Sequence, residues 1–101
     1  VAQAIPHLPA IKQRQLRTIV RIIRAMADVE RVILYGSHAR GDWVDDLVGG
    51  YVSDYDLAVL IANPALAEDE ALWADCQERA RDVAGDTPVG LIVHTVDDVR
   101  E

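Results

Sequence analysis

The 101-residue chain holds one cysteine, Cys76, so no internal disulfide can form, a usage that fits a reducing cytoplasm. No apolar run approaches the length of a bilayer span. Internal repeats and low-complexity tracts are also missing, which leaves the composition of an ordinary soluble globular domain. Residues 1–6 lack a basic segment followed by a long apolar stretch, so nothing there resembles a secretory signal. Positive charge is scarce: ten Lys and Arg stand against seventeen Asp and Glu, a net charge of −7. Binding along a nucleic-acid backbone needs clustered cations, so broad nucleic-acid binding is argued against. No zinc-ligand spacing occurs, and neither a P-loop nor a calcium loop can be written over any segment.

Half of the residues are apolar and about a quarter are charged, and the length suits a single domain over residues 1–101. The few cations are unevenly spread. Lys12, Arg14, Arg17, Arg21 and Arg24 lie in the first quarter, while most acids lie beyond Asp42. That cluster reads first as a solvated helix face and second as a docking face for an acidic partner or RNA.

Periodicity separates the elements. Leu16, Ile19, Val20, Ile23, Met26 and Ala27 recur at helical spacing after Pro9, predicting an amphipathic helix over about 10–27. Arg31 to Tyr35 has the length and composition of a buried strand ended by Gly36. A second strand is expected near 54–62, closed by Asn63-Pro64. A helix is expected from 65 to about 84, with Glu68, Asp69 and Glu70 near its start, where the macrodipole favours acids. Gly85 to Pro88 stops it. A third strand follows over 89–95, and residues 96–101 resemble the opening of another helix, so the chain is expected to be the N-terminal part of a longer protein.

Chemistry concentrates in two segments. Asp54 and Asp56 open the strand Ser53-Asp54-Tyr55-Asp56-Leu57-Ala58-Val59-Leu60-Ile61. Alternation projects both aspartates to one face and Tyr55 to the other. Two carboxylates held so close resist ionising together. A divalent cation between them removes the conflict, and Mg²⁺ is commonly held by one or two carboxylates plus substrate phosphates. The second segment is Tyr35-Gly36-Ser37-His38-Ala39-Arg40-Gly41-Asp42, a strand turning into a helix through Gly-Ser. Free backbone N–H groups and a hydroxyl there suit phosphate oxygens. Gly36 lets the backbone approach closely, and Arg40 could reach phosphate or an acidic neighbour.

Taken together, strand, Gly-Ser, Ala-Arg-Gly and Ser-Asp-x-Asp-Leu resemble the nucleotidyltransferase superfamily of DNA polymerase β and kanamycin nucleotidyltransferase, in its minimal bacterial form. The likeness runs over about residues 10–95 in element order, with some fifteen residues matching at motif level. It implies an α/β (α+β) fold, helix-strand-helix-strand-helix-strand, with a small mixed sheet flanked by helices. It further implies that Asp54 and Asp56 are catalytic and hold Mg²⁺, with a two-metal site possible, and that Gly36, Ser37, Arg40 and Ser53 bind the nucleotide. The implied reaction transfers a nucleoside monophosphate from a nucleoside triphosphate, ATP being expected, to an acceptor hydroxyl or phosphate. Minimal members often stand beside or fused to HEPN-type helical domains, some as antitoxins. A nucleotide-binding module that regulates such a partner is therefore the alternative.

Two departures bear on turnover. Such enzymes draw a third acid from the middle of the third strand, and Gly90 stands at that position here. His94 shares its face but lies about 13 Å further along at 3.3 Å per residue. The segment 42–52 is also longer than the compact form, and its Trp43 and Tyr51 could stack on a base or, more blandly, anchor the loop. Among the remaining candidates, His7 reads as solvent-exposed and His38 as a residue that could touch substrate. Cys76, on an apolar stripe, reads as core.

Overall fold

The structure, a computed structural model, describes residues 7–46 and 51–99. Its first element is α1 (Ala10–Met26), ended by an extended Ala27. Strand β1 (Arg31–Tyr35) leads directly into the short helix α2 (Gly36–Arg40), which closes on Gly41 in the left-handed region. Two short strands follow, β2 (Asp45–Asp46) and β3 (Tyr51–Val52), paired antiparallel. Then come β4 (Tyr55–Ile61), α3 (Pro64–Ala67), α4 (Glu70–Ala84), β5 (Val89–Thr95) and α5 (Val96–Val99). The expected strands and first helix thus stand within one or two residues of their predicted ends.

Two expectations change. The helix expected over 65–84 is broken at residues 68 and 69, because each part has its own cap. Asn63 Oδ1 accepts from Ala65 N–H at 3.0 Å, and Asp69 Oδ1 accepts from Leu72 N–H at 3.2 Å. Asp69 is therefore an N-cap that starts a new helix rather than a charge inside the first turn of one. The long segment between the two motifs contains the β2–β3 pair, with Asp45 opposite Val52. Residues 47–50 of that segment, like 1–6 and 100–101, lie outside the described residues.

The main sheet is mixed, in the order β1-β4-β5, with β1 antiparallel and β5 parallel to the central β4. Alternation sorts its faces. Val32 and Leu34 of β1 and Tyr55, Leu57, Val59 and Ile61 of β4 are buried on one face. They meet Leu16, Ile19, Val20 and Ile23 of α1 and Trp73, Cys76, Ala80 and Ala84 of α4 in one core. Fully burying each of the Val, Leu and Ile side chains among them is worth about 1.5–3 kcal/mol, so this layer dominates the fold. Cys76 lies in it with its Sγ 3.4 Å from Met26 Sδ, and burial pushes its thiol up. The architecture is α+β, a three-stranded mixed sheet with helices. No helix among the described residues is long and apolar enough to cross a membrane.

The opposite face of the sheet is ordered by the same register. Tyr35, Asp56 and Gly90 form one row across the three strands, and Ile33, Ala58 and Ile92 form the next. Ile92 is 45 % and Tyr35 37 % exposed, so this face is open where the core face is closed.

Candidate functional site

The end of β1, the start of α2 and the start of β4 surround a cleft of about 560 Å³. Tyr35, Gly36, Ser37, Arg40, Val52, Ser53, Asp54 and Asp56 line it, so every site residue expected from the sequence reaches one place. Asp54 is exposed at the mouth, immediately before β4, and Asp56 is half-buried in the row between Tyr35 and Gly90.

Gly36 is required by its carboxylate neighbour. Its φ is +76°, in the left-handed region, and a Cβ there would fall inside contact distance of Asp56 Oδ2 and 3.1 Å from Asp56 Cγ. The group that crowds the Gly36 backbone within the chain is the Asp56 side chain, not the phosphate for which the close approach was expected. This contact joins the two motifs. Burial, then the charge of Asp54, holds the Asp56 carboxyl above its ordinary range, with His38 and Arg40 pulling the other way. Burial and Asp56 together raise the Tyr35 phenol. The cleft thus gathers negative charge that the protein only partly compensates.

The other cleft residues differ in their freedom. The Arg40 side chain is 64 % exposed and its Nε donates to Asp42 Oδ2 at 3.4 Å, a surface pair of little energetic weight that an anion could outcompete. Ser53 is buried and its Oγ accepts from Val44 N–H at 2.8 Å, while its own N–H donates to Val44 O at 2.7 Å. Ser53 thus ties β3 back to the chain before β2, and its expected nucleotide contact competes with that closure.

His38 does not take up the substrate contact that the sequence left open. Rather than facing the cleft it is fully buried, its ring 4.6 Å from the Tyr55 ring and stacked on Trp43 at 5.8 Å with 12° between planes. Trp43 accordingly anchors its loop, the blander of the two expected uses. His38 Nδ1 donates to the Asp54 carbonyl at 2.8 Å, and Nε2 lies 3.2 Å from Lys12 Nζ. Burial lowers its basicity, and the Lys12 charge lowers it further, against the raising effects of the Asp54 carbonyl, Asp45 and Asp56. His7 is exposed as expected, and it also donates from Nε2 to the His38 carbonyl at 2.8 Å.

Lys12 is the residue that sequence reasoning missed. Grouped with the solvated arginines, it is instead 6 % exposed and paired with Asp45 Oδ2 at 2.9 Å. A signal was available: Lys12 lies four residues before Leu16, on the apolar stripe of α1, where a charge needs a partner. Tyr55 completes this buried polar group. Its hydroxyl donates to Gln15 Oε1 at 2.6 Å, and burial pushes its pKa up to about 12.

Gly90 faces the site as alignment of the third strand implied. It stands opposite Asp56 in the parallel register, and a Cβ there would lie 3.8 Å from Asp56 Oδ1, in ordinary contact. His94 is opposite Leu60, further along the same face, and exposed. Among the described residues no group of three or more His, Cys, Asp or Glu gathers as a ligand set. The donor set at the cleft is the pair Asp54 and Asp56. Hard oxygen donors, incomplete charge compensation and open cleft volume fit a magnesium-type ion completed by phosphate and water. No family model, no curated protein and no solved structure matches the chain.

Proposed function

We propose that the cleft binds a nucleoside triphosphate with Mg²⁺ and that the chain is a minimal nucleotidyltransferase of the polymerase β type. The observation that carries this reading is the contact of Asp56 with Gly36, which brings the Asp-x-Asp pair against the Gly-Ser turn. Asp54 and Asp56 would hold the metal. Gly36, Ser37 and Arg40 would receive the distal phosphates, and the Asp42 carboxylate that Arg40 would release is exposed. When bound, Mg²⁺ supplies stabilisation of charge on the entering and leaving oxygens. The acceptor oxygen bonds to the α-phosphorus as the bond to the β-phosphate bridge breaks, and pyrophosphate leaves. The chain's part is to orient the triphosphate and exclude competing geometries. ATP is the proposed donor and a cytoplasmic setting the proposed location, in keeping with the lone buried thiol.

One observation favours a second reading. Gly90 sits opposite Asp56, so the chain lacks a carboxylate where one would assist the acceptor. A nucleotide-binding module that regulates a HEPN-type helical partner needs no such group. The test is incubation with Mg²⁺ and α-labelled ATP, with and without that partner. Label transfer lost in Asp54→Ala or Asp56→Ala supports the enzyme. Saturable ATP binding without transfer supports the module, and neither binding nor transfer refutes both.

A further inference from the structure

The two halves of the cleft come from different parts of the chain, and the buried ring of His38 spans them. His38 belongs to α2, one residue after Ser37, so it moves with the Gly-Ser turn. Its Nδ1 meets the main-chain carbonyl of Asp54 at 2.8 Å. A carbonyl only accepts, so Nδ1 carries the proton. The ring's other nitrogen, Nε2, faces the Lys12 ammonium at 3.2 Å, and an ammonium only donates. Nε2 must therefore be the acceptor, and the ring a neutral Nδ1–H tautomer. Lys12 has no freedom to leave, because Asp45 Oδ2 holds it at 2.9 Å and its Nζ lies 5.3 Å from the Tyr55 ring centroid. Trp43 closes the remaining face of the imidazole.

We propose that His38 is a positioning residue of the nucleotide site, set in its tautomer by Lys12 and Asp45, and that it fixes Asp54 relative to the Gly36-Ser37 turn. The proposal rests on the function proposed above and deepens it. The line Asp45, Lys12, His38, Asp54 runs from β2 through α1 and α2 to the metal-holding pair. No member of it other than Asp54 lines the cleft, so each acts through another. Outer partners of metal-binding groups characteristically change metal affinity by about 10–100-fold. The same scale is expected here, because losing the Nδ1 donor frees the Asp54 main chain, and with it the position of its carboxylate, while deleting neither carboxylate.

The test uses the full chain, with Mn²⁺ as a paramagnetic probe in place of Mg²⁺ and ATP as the nucleotide. Mn²⁺ binding is read by electron paramagnetic resonance, and folding by circular dichroism. His38→Leu fills similar space without a donor, Lys12→Met removes the ammonium, and His38→Asn keeps an amide donor near the Nδ1 position. His38→Leu and Lys12→Met are expected to bind Mn²⁺–ATP at least about 10-fold more weakly, and His38→Asn to recover most of the loss. A merely structural role would lower stability in all three without this recovery. An independent reading needs no metal: in ¹⁵N-histidine-labelled protein, His38 should show a protonated Nδ1 and a bare Nε2. Folded His38→Leu that binds like the wild type overturns the positioning role, as does an Nε2–H tautomer. Should His38→Leu fail to fold, Lys12→Met and the tautomer decide. Absence of Mn²⁺–ATP binding by the wild type instead refutes the function reading, and the positioning role with it.

Discussion

Gly36→Ala measures the contact on which the site is built. Two costs are expected. At φ +76° an L-residue sits in the left-handed region, which costs about 1–2 kcal/mol. The new methyl would also meet Asp56 Oδ2 inside contact distance and Cγ at 3.1 Å, so the carboxylate must turn away. Forcing that side chain off its rotamer adds about 0.5–1.5 kcal/mol. The sum, about 1.5–3.5 kcal/mol, corresponds to a fall in melting temperature of order 10 °C for a domain of this size. Urea titration followed by circular dichroism should show a lower midpoint with unchanged slope, the mark of a true stability change. A double-mutant cycle with Asp56→Ala separates the two costs. Without the carboxylate the nearest remaining atom is the Asp56 Cβ at 3.4 Å, so only the backbone cost should remain. The cycle should thus return a coupling of about 0.5–1.5 kcal/mol. A cost for Gly36→Ala under about 0.5 kcal/mol would refute the reasoning altogether. An equal cost in both backgrounds would show that φ alone, and not Asp56, demands glycine.

Other outcomes follow from the same geometry. The folded state holds the Asp56 proton to higher pH than the unfolded chain, so native stability should fall as pH rises from 3.8 through the raised value. Asp56→Asn should accordingly be more stable than wild type at pH 7, with the advantage vanishing in acid; parallel stability–pH curves would contradict this. Gly90→Asp places a third carboxylate in open contact with Asp56. Its melting temperature should be below wild type without Mg²⁺ and rise more on adding Mg²⁺, while an equal response in both proteins would sink the idea of a shared ion. Helix α1 contains no acid, and Arg14, Arg17, Arg21 and Arg24 are all exposed. Arg17→Glu faces Arg14 and Arg21, replacing two repulsions by two attractions, and should stabilise by about 0.8–2 kcal/mol at low salt. Loss of the gain in 1 M salt would identify it as electrostatic, whereas no gain at low salt would show the row to be already compensated.

What was legible in the sequence is what local geometry carries. The apolar repeats of α1 and α4 and the alternation of β4 depend on neighbours a few residues apart, so the elements could be read directly. The facing of Asp54 and Asp56 also follows from the strand period alone. The break between α3 and α4 was written locally too, in Asn63-Pro64 and Asp69, and was obscured because acids near a helix start serve equally as caps and as dipole partners. The places of Lys12 and His38 are hidden in the sequence for a different cause. Lys12 looks like a surface cation and His38 like a cleft residue until their partners are known, and those partners are 33 and 16 residues away, Asp45 and the Asp54 carbonyl.

The chain by itself determined the first helix, the three strands of the main sheet and the residue types of the cleft, while the open face of that sheet emerged only in the fold. Only the tertiary structure decided that Asp56 presses on Gly36, that Gly90 stands across from it, and that a buried lysine and histidine join the cleft to the core. The reason is register: which residue opposes which is set by packing the sheet against α1 and α4. A shift of one position would have turned Asp56 into the core and Leu57 into the cleft.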